Sequence, residues 1–372
     1  MTNHIVVLGA GYAGLGAAKR AARRLGRADA KVTLVNAADR FVERIRLHQL
    51  AAGQPAADLP LARLLDGTGV ELVVARVTGL DPRARTVTLD GPPYELGYDV
   101  LVYALGSAAD LDVLPGAREH AYTLATAGEA ERLRARLAGT TGSVALVGGG
   151  LTAVEAATEL AAAYPALRFE LFCAGLVGEG LSEPGRRYVL RALDRLGVRV
   201  RERTPVDKVG PDGLLLDGGA EVPAGTVVWT GGFRVPPLAA AAGLSTGADG
   251  RVVVDDRLRS VSHPEVLAIG DAAAADVAGR RPHRMSCQNA VPMGQYAGDA
   301  AARLVTGREL EPARLKYMLQ CVSLGRRDGL VQPTHPDDRP RERVITGRAA
   351  ALVKESIVRS TIWSMRHPGP YF

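Results

Sequence analysis

Short apolar runs that stop at glycines, each followed by an alanine-rich stretch of helical spacing, organise this chain. Ile5-Val6-Val7-Leu8 is apolar and largely β-branched, residues 15–25 carry Ala, Leu and Arg at helical spacing, and residues 31–35 are apolar again. A strand, a tight turn, a helix and a second strand are predicted, a βαβ start that implies a parallel sheet with a right-handed crossover. Residues 70–77 and 86–89, separated by the polar turn Asp81-Pro82-Arg83, predict a small antiparallel insertion, and 100–105 a buried strand that closes the unit at Gly106.

The pattern then starts again. A helix over 129–137, a strand over 143–147, the turn Gly148-Gly149-Gly150, a helix over 151–163 and a strand over 168–172 repeat the first architecture. Two nucleotide-binding-type domains are implied. Further short strands are expected at 198–203, 213–216, 226–229, 252–254 and 266–269, the last running into a glycine turn at Gly270. Beyond about residue 302 the pattern predicts a strand over 317–324, a Pro/Asp/Arg-rich loop over 332–343 and a helix over 349–365.

Composition narrows the class. With 47% hydrophobic and 23% charged residues among 372, the chain has the balance of a globular protein, and no run approaches the roughly 18 apolar residues of a membrane span. Cys173, Cys287 and Cys321 are far apart and odd in number, so neither a disulfide framework nor a metal clip is offered. With no secretion pattern at the N-terminus, a cytoplasmic location is expected. Of a formal net charge of +6, most sits after residue 338, where Arg339, Arg341, Arg343, Arg348, Lys354, Arg359 and Arg366 face only Glu342 and Glu355. Without an aromatic-rich strand or zinc spacing this is weak support for nucleic acid; a membrane surface, an acidic cofactor, another subunit or a solvated face suit it equally.

Gly9-Ala10-Gly11-Tyr12-Ala13-Gly14 fits G-x-G-x-x-G directly between a strand and a helix. Gly9 permits the turn, Gly11 lets a pyrophosphate approach the backbone, and Gly14 lets helix and strand pack closely while the helix N-terminus faces the phosphates. At the end of the next strand, where an acid ordinarily holds a ribose, stands Asn36, with Asp39 and Arg40 nearby to help. Gly148-Gly149-Gly150-Leu151-Thr152-Ala153 repeats the fingerprint with Ala in the third position, a permitted variant that implies a second dinucleotide. No acid closes the strand that follows it, and Arg186 and Arg187 lie downstream, so NADH and NADPH both stay open. Gly270-Asp271 ends a third strand, where an acid can hold a polyol chain.

These three elements in this order resemble the two-dinucleotide-binding-domain flavoproteins of the pyridine nucleotide-disulfide oxidoreductase fold, over roughly residues 4–300. The resemblance implies an α/β fold of two Rossmann-like domains, with an NAD(P)H domain (108–231) inserted into a split FAD domain (1–107 and 232–301) and a small C-terminal α+β region (302–372). It implies FAD at Gly9, Gly11, Gly14 and Asn36, with Asp271 on the ribityl chain, and Tyr12, Ala13, Arg44, Val77, Ala104, Gly106, Gly231, Gly270, Cys287 and Gln288 as further cofactor-binding residues. NAD(P)H is implied at Gly148, Gly150, Thr152 and Ala153. Ala104-Leu105-Gly106-Ser107 and Trp229-Thr230-Gly231-Gly232 look like the two crossovers between the domains.

The disulfide reductases' closely spaced cysteine pair is absent, so dithiol relay chemistry is not expected. Residues 39–53 instead resemble the corresponding loop and helix of type II NADH dehydrogenases and apoptosis-inducing-factor-like oxidoreductases, which pass hydride from nicotinamide to flavin N5 and on to a quinone or another small acceptor. Glu155 and Gln288 are the catalytic candidates this resemblance supplies. Pro292-Met293 departs from the paired glutamines of that family and makes the acceptor side more apolar. Apolar residues are spread around a helix over 351–366, which favours packing on the protein or in a homodimer over a membrane-surface helix, although a peripheral membrane contact through the basic C-terminus stays open. An FAD enzyme of a specific secondary metabolite and a redox-responsive binding protein are the alternative functions.

Overall fold

The computed structural model describes residues 2–26, 28–279 and 282–366. The end of the basic tail, residues 367–372 and the side chain of Arg366, lies outside the described residues. A first parallel sheet has the strand order Val266–Ala268, Val100–Tyr103, Asn3–Leu8, Ala30–Asn36, Val70–Val74. Its central strands are covered on both faces, which is why they read as continuous apolar runs: Ile5, Val6, Val7 and Leu8 are all fully buried.

A second parallel sheet repeats the architecture with Arg199–Arg201, Arg168–Phe172, Ser143–Val147, Thr226–Trp229 and Ala121–Tyr122 in that order. In both repeats a three-stranded antiparallel meander precedes the return strand: Val77–Asp81, Thr86–Leu89 and Glu95–Gly97 in the first, Val206–Gly210, Gly213–Leu216 and Glu221–Pro223 in the second. Two short antiparallel strands, Ala108–Ala109 and Phe233–Arg234, pair where the chain passes between the sheets. The segments 104–107 and 229–232 directly precede these two strands.

Three expectations need correction. The run 70–77 is two strands, because the chain leaves the parallel sheet at Ala75, whose N–H donates to Asn36 O at 2.9 Å, and Arg76 N turns to Asp90 Oδ1 at 2.8 Å. The loop expected over 332–343 begins inside a strand, Gly329–Pro333, which pairs antiparallel with Leu319–Ser323 and Ile345–Thr346. The helix Glu183–Arg195 was not anticipated, although its start carries a signal: Ser182 accepts from Gly185 N and Pro184 lies in the first turn.

Two helices shape the first domain. Tyr12–Leu25 and the long helix Cys287–Val305 lie against each other so closely that a Cβ at Gly298 would stand 2.6 Å from Ala17 O. Their polar edge is closed by Asp299, which takes Arg20 Nε at 2.6 Å and Arg24 Nε at 2.7 Å. Burial alone would raise the Asp299 carboxyl, but the two guanidiniums outweigh it and hold it below the usual range. The final helix, Gly347–Arg366, buries Ala350, Val358 and Met365 against the protein and leaves Leu352 and Trp363 exposed, as the apolar spread predicted for a helix packed on the protein. No described helix is long and apolar enough to cross a membrane.

Replacing Asp299 by Ala removes the carboxylate that pairs with both the buried Arg20 guanidinium and Arg24, and is expected to cost about 3 kcal/mol in urea denaturation near neutral pH. A carboxylate whose folded pKa is depressed contributes above its unfolded value of about 3.9 and stops contributing as pH falls through the folded one. The gap between wild type and Asp299→Ala should therefore narrow as pH falls below the unfolded value; a gap that stays constant would contradict the ion-pair account.

Candidate active site

The carboxyl ends of both parallel sheets face one another, the position at which open α/β sheets bind ligands. A cavity of about 290 Å³ opens there, walled by Gly11, Tyr12 and Ala13 of the first fingerprint and Leu151, Thr152 and Glu155 of the second. Arg44, Ala104, Gly106, Gly270, Asp271 and Cys287 complete the wall. The turn that builds it is steric: a Cβ at Gly9 would stand 2.5 Å from Ala104 O, whereas a Cβ at Gly11 would meet nothing within 4 Å. Gly9 serves the fold, and Gly11 faces space that a ligand can fill.

Polar groups converge on the same cavity. Ser107 Oγ donates to Asp271 Oδ2 at 2.7 Å, and Arg44 Nη1 lies 3.4 Å from Ser107 Oγ and 3.8 Å from Asp271 Oδ2. Tyr12 Oη, His48 Nε2 and Ser286 Oγ are buried in residues of this wall without a partner. Buried polar atoms left unpaired are rare, and an adenine dinucleotide with its many oxygens and ring nitrogens suits them. His48 is held neutral, its pKa far below the ordinary value through burial and the nearby Lys354, Arg46 and Arg326 charges. It can accept from a ligand or donate to one without carrying charge.

A second cavity of about 970 Å³ adjoins the first through Leu151, Thr152 and Phe233, and takes in Gly148, Gly150, Gly231 and Glu179. Gly150 again faces open space. His283, pushed down to about 4 chiefly by burial and then by Arg251, has no side-chain hydrogen-bond partner for its ring nitrogens among the described residues. Of the downstream arginines, Arg186 is locked onto Glu202 by two hydrogen bonds of 2.6 Å and Arg187 lies 3.7 Å from Glu183.

The feature that sequence reasoning missed lies on the far side of Glu155. Glu155 Oε1 accepts from Ser323 N at 2.9 Å and pairs with Lys354 of the final helix. Burial, the largest influence, and the Arg46 guanidinium push the Lys354 ammonium down to about 7, against the pull of Glu355. Lys354 lines a third cavity of about 530 Å³, so the pair spans the wall between it and the first. In the sequence the one available signal was a lysine set between the apolar pairs Leu352-Val353 and Ile357-Val358, next to Glu355 and Ser356.

Several expected site residues lie elsewhere. Asn36 Oδ1 accepts from Ala10 N at 2.9 Å and its amide donates to Ala38 O at 2.7 Å, so it braces the glycine loop. Arg40 is turned to Asp58 and Asp39 on the surface. Gln288 donates to Leu319 O at 2.7 Å and accepts from Met318 N at 2.8 Å, tying the long helix to a strand and standing outside the cavity walls. Val77 sits at the start of the first meander, Gly14 packs its helix against the glycine turn, the role expected of it, and Ala153 and Met293 are wholly buried core. The cysteines correct a different inference: Cys287 and Cys321, distant in sequence, share the first cavity's wall. Burial pushes both thiols up, Cys321 to about 12, so neither is a thiolate at neutral pH.

The sequence profile of pyridine nucleotide-disulphide oxidoreductases covers residues 3–294. The chain belongs to that family. Within it, an NADH dehydrogenase-like protein of Mycobacterium tuberculosis is 33% identical, the alignment covering 95% of this chain and 92% of that protein. A type II NADH:quinone oxidoreductase of Staphylococcus epidermidis is 28% identical over 97% and 95%. Among solved structures, the sulfide:quinone oxidoreductase of Aquifex aeolicus superposes with a TM-score of 0.82 at 22% identity, covering 98% of this chain and 91% of that one. NDH2 of Plasmodium falciparum in complex with NADH gives 0.79 at 13% identity, with full coverage of both. These two establish the α/β fold of two Rossmann-like domains, which the topology also shows.

A side chain at Gly11 would fill ligand space and touch little of the protein. Gly11→Val should melt within a few degrees of wild type yet purify with its bound-flavin absorbance lost; a variant that keeps full flavin would show that the cavity is not the cofactor site.

Proposed function

We propose that this oxidoreductase is an FAD-dependent NADH dehydrogenase that reduces a quinone or a related small acceptor without a redox-active disulfide. The observation that carries the reading is the Glu155–Lys354 pair, which links the cavity between the two fingerprints to a separate cavity under the final helix. Residues 1–107 and 232–301 would form the FAD part, 108–231 the NADH part, and 302–372 the acceptor side. When bound, FAD supplies the carrier that accepts hydride from the nicotinamide and returns two electrons to the acceptor.

The chain's own residues position and protonate. Gly11 would give a pyrophosphate its approach to the backbone, Asp271, held by Ser107 and Arg44, would offer carboxylate oxygens to ribityl hydroxyls, and Gly150 and Thr152 would hold the second dinucleotide. Glu179 lines the second cavity beside Gly175, while Arg186 is committed to Glu202. A carboxylate there and no unpaired Arg186 disfavour a 2′-phosphate, which supports NADH over NADPH. A quinone that takes up two electrons must gain two protons. Lys354, charged below about pH 7 and held by Glu155, would donate one of them to an acceptor oxygen, the other arriving with the electrons from the reduced cofactor. The type II NADH:quinone oxidoreductase among the relatives names the same reaction class.

Anaerobic stopped-flow separates the two halves of the cycle. NADH should bleach the flavin, and menadione should restore it faster than oxygen does. Lys354→Met should leave bleaching intact and slow reoxidation by menadione about 100-fold. Below about pH 7 Lys354 carries its proton, so wild-type reoxidation should fall as pH rises through that value, with Arg46, Glu155, Glu355 and His48 the charged or titratable neighbours that set it; the variant should show no such limb. Unchanged reoxidation in Lys354→Met would overturn the acceptor role. Glu179→Gln should narrow the NADH preference in kcat/KM by about tenfold, and an unaltered ratio would remove Glu179 from nucleotide selection.

A further inference from the structure

The cavity under the final helix has an uneven lining. One strip is aliphatic, from Ile45, Ala351, Leu352 and Val358. Around it stand six basic side chains against a single carboxylate, Glu355. Glu355 is already engaged, taking Arg46 Nη2 at 3.0 Å and Arg359 Nε at 2.8 Å, and Lys354 is held by Glu155.

Three cations are left. Arg326 and Arg327, in the turn between Leu319–Ser323 and Gly329–Pro333, and Arg348, at the start of the final helix, make no hydrogen bond or ion pair among the described residues. Exposed arginines without partners are ordinary when scattered. Here two chain segments bring three of them to the rim of one cavity whose floor is Lys354 and whose wall is apolar. Of the three, Arg326 feels a carboxylate, the buried Glu159, across this cluster; like charges so gathered repel, and a low-dielectric concave wall focuses their field on whatever enters. Guanidinium is also the group whose planar fork pairs with carboxylate, sulfonate or phosphate oxygens. A neutral, purely apolar acceptor would use the aliphatic strip and leave the rim idle.

We propose that this cavity takes an anionic aromatic acceptor, a flat ring on the aliphatic strip with a carboxylate, sulfonate or phosphate group held by Arg326, Arg327 and Arg348. The inference rests on the acceptor reading above and specifies its substrate class. The arginines place the anion at the rim, so the ring's oxygen points inward to Lys354, where protonation is needed.

Isothermal titration of the oxidised holoenzyme with anthraquinone-2-sulfonate and with its neutral analogue 2-(hydroxymethyl)anthraquinone tests this without turnover. The sulfonate should bind about tenfold more tightly at low salt, and the advantage should vanish at high salt because exposed pairs are screened. The combined variant Arg326→Gln, Arg327→Gln, Arg348→Gln should bind both ligands with the affinity wild type shows for the neutral one. Equal wild-type affinities, or a variant that weakens both alike, would overturn the proposal. So would arginine-dependent retention on phosphatidylglycerol vesicles without a preference for the sulfonate, which would assign the rim to a lipid surface. Reoxidation by menadione is read separately: if it fails while the arginine-dependent preference holds, the acceptor reading falls and the anion site remains, and the reverse result removes only the anion site.

Discussion

A lysine ammonium cannot be taken out of water unless something replaces its hydration, and the burial of Lys354 against Glu155 is the constraint that ties this molecule's C-terminal region to its nucleotide-binding frame. Glu155 projects from the helix of the second fingerprint, and Lys354 from a helix nearly 200 positions later. Ser323 N–H supplies the second hydrogen bond to the carboxylate, so the antiparallel C-terminal sheet is fixed by the same contact. A buried pair of this kind contributes little net stability, because desolvation offsets attraction. Its worth is positional. It sets where the final helix lies, and therefore how wide the third cavity is and which residues line it.

That geometry divides the work between a repeated part and a unique part. Both repeats have five parallel strands, a glycine turn after the central strand and a three-stranded meander before the return strand. Each can offer a helix N-terminus to a phosphate, so the two cavities that meet at Leu151 and Thr152 follow from duplication of one solution. The third cavity, by contrast, takes Lys354 and the arginines of its rim, Arg326, Arg327 and Arg348, from the C-terminal strands and helix. Family-level resemblance thus accounts for the first two cavities, and the chain's individual chemistry lies in the third.

Most of the frame was legible because its signals are local. A buried parallel strand must be apolar throughout, a glycine turn must follow it where the helix approaches the strand, and both features recur. The parts that misled are those settled by tertiary contact. Residues 70–77 read as one strand, since neither the Asn36 carbonyl that captures Ala75 nor the Asp90 carboxylate that captures Arg76 is visible to a pattern. Gln288 looked like a residue beside the flavin from its place in a motif, yet its amide is taken up by the backbone of Met318 and Leu319. Lys354 was counted among the charges of a basic tail. Its ion-pair partner, Glu155, lies on a helix nearly 200 positions earlier, so sequence spacing could not bring the two together.

The cysteines and the tail charges show the same limit from opposite directions. Counting thiols along the chain separated Cys287 from Cys321, but the fold places both on one wall, and only their apolar surroundings, which keep both protonated, argue against thiol chemistry there. Counting charges merged seven basic residues into one patch, but the fold disperses them: Arg339 turns to Asp337, Arg359 to Glu355 and Lys354 inward to Glu155. What remains of the tail's positive field at the cavity is Arg348, and it acts with Arg326 and Arg327, which lie outside the tail altogether. The electrostatic site is therefore set by where the hairpin turn and the final helix meet, and not by the net charge of either segment.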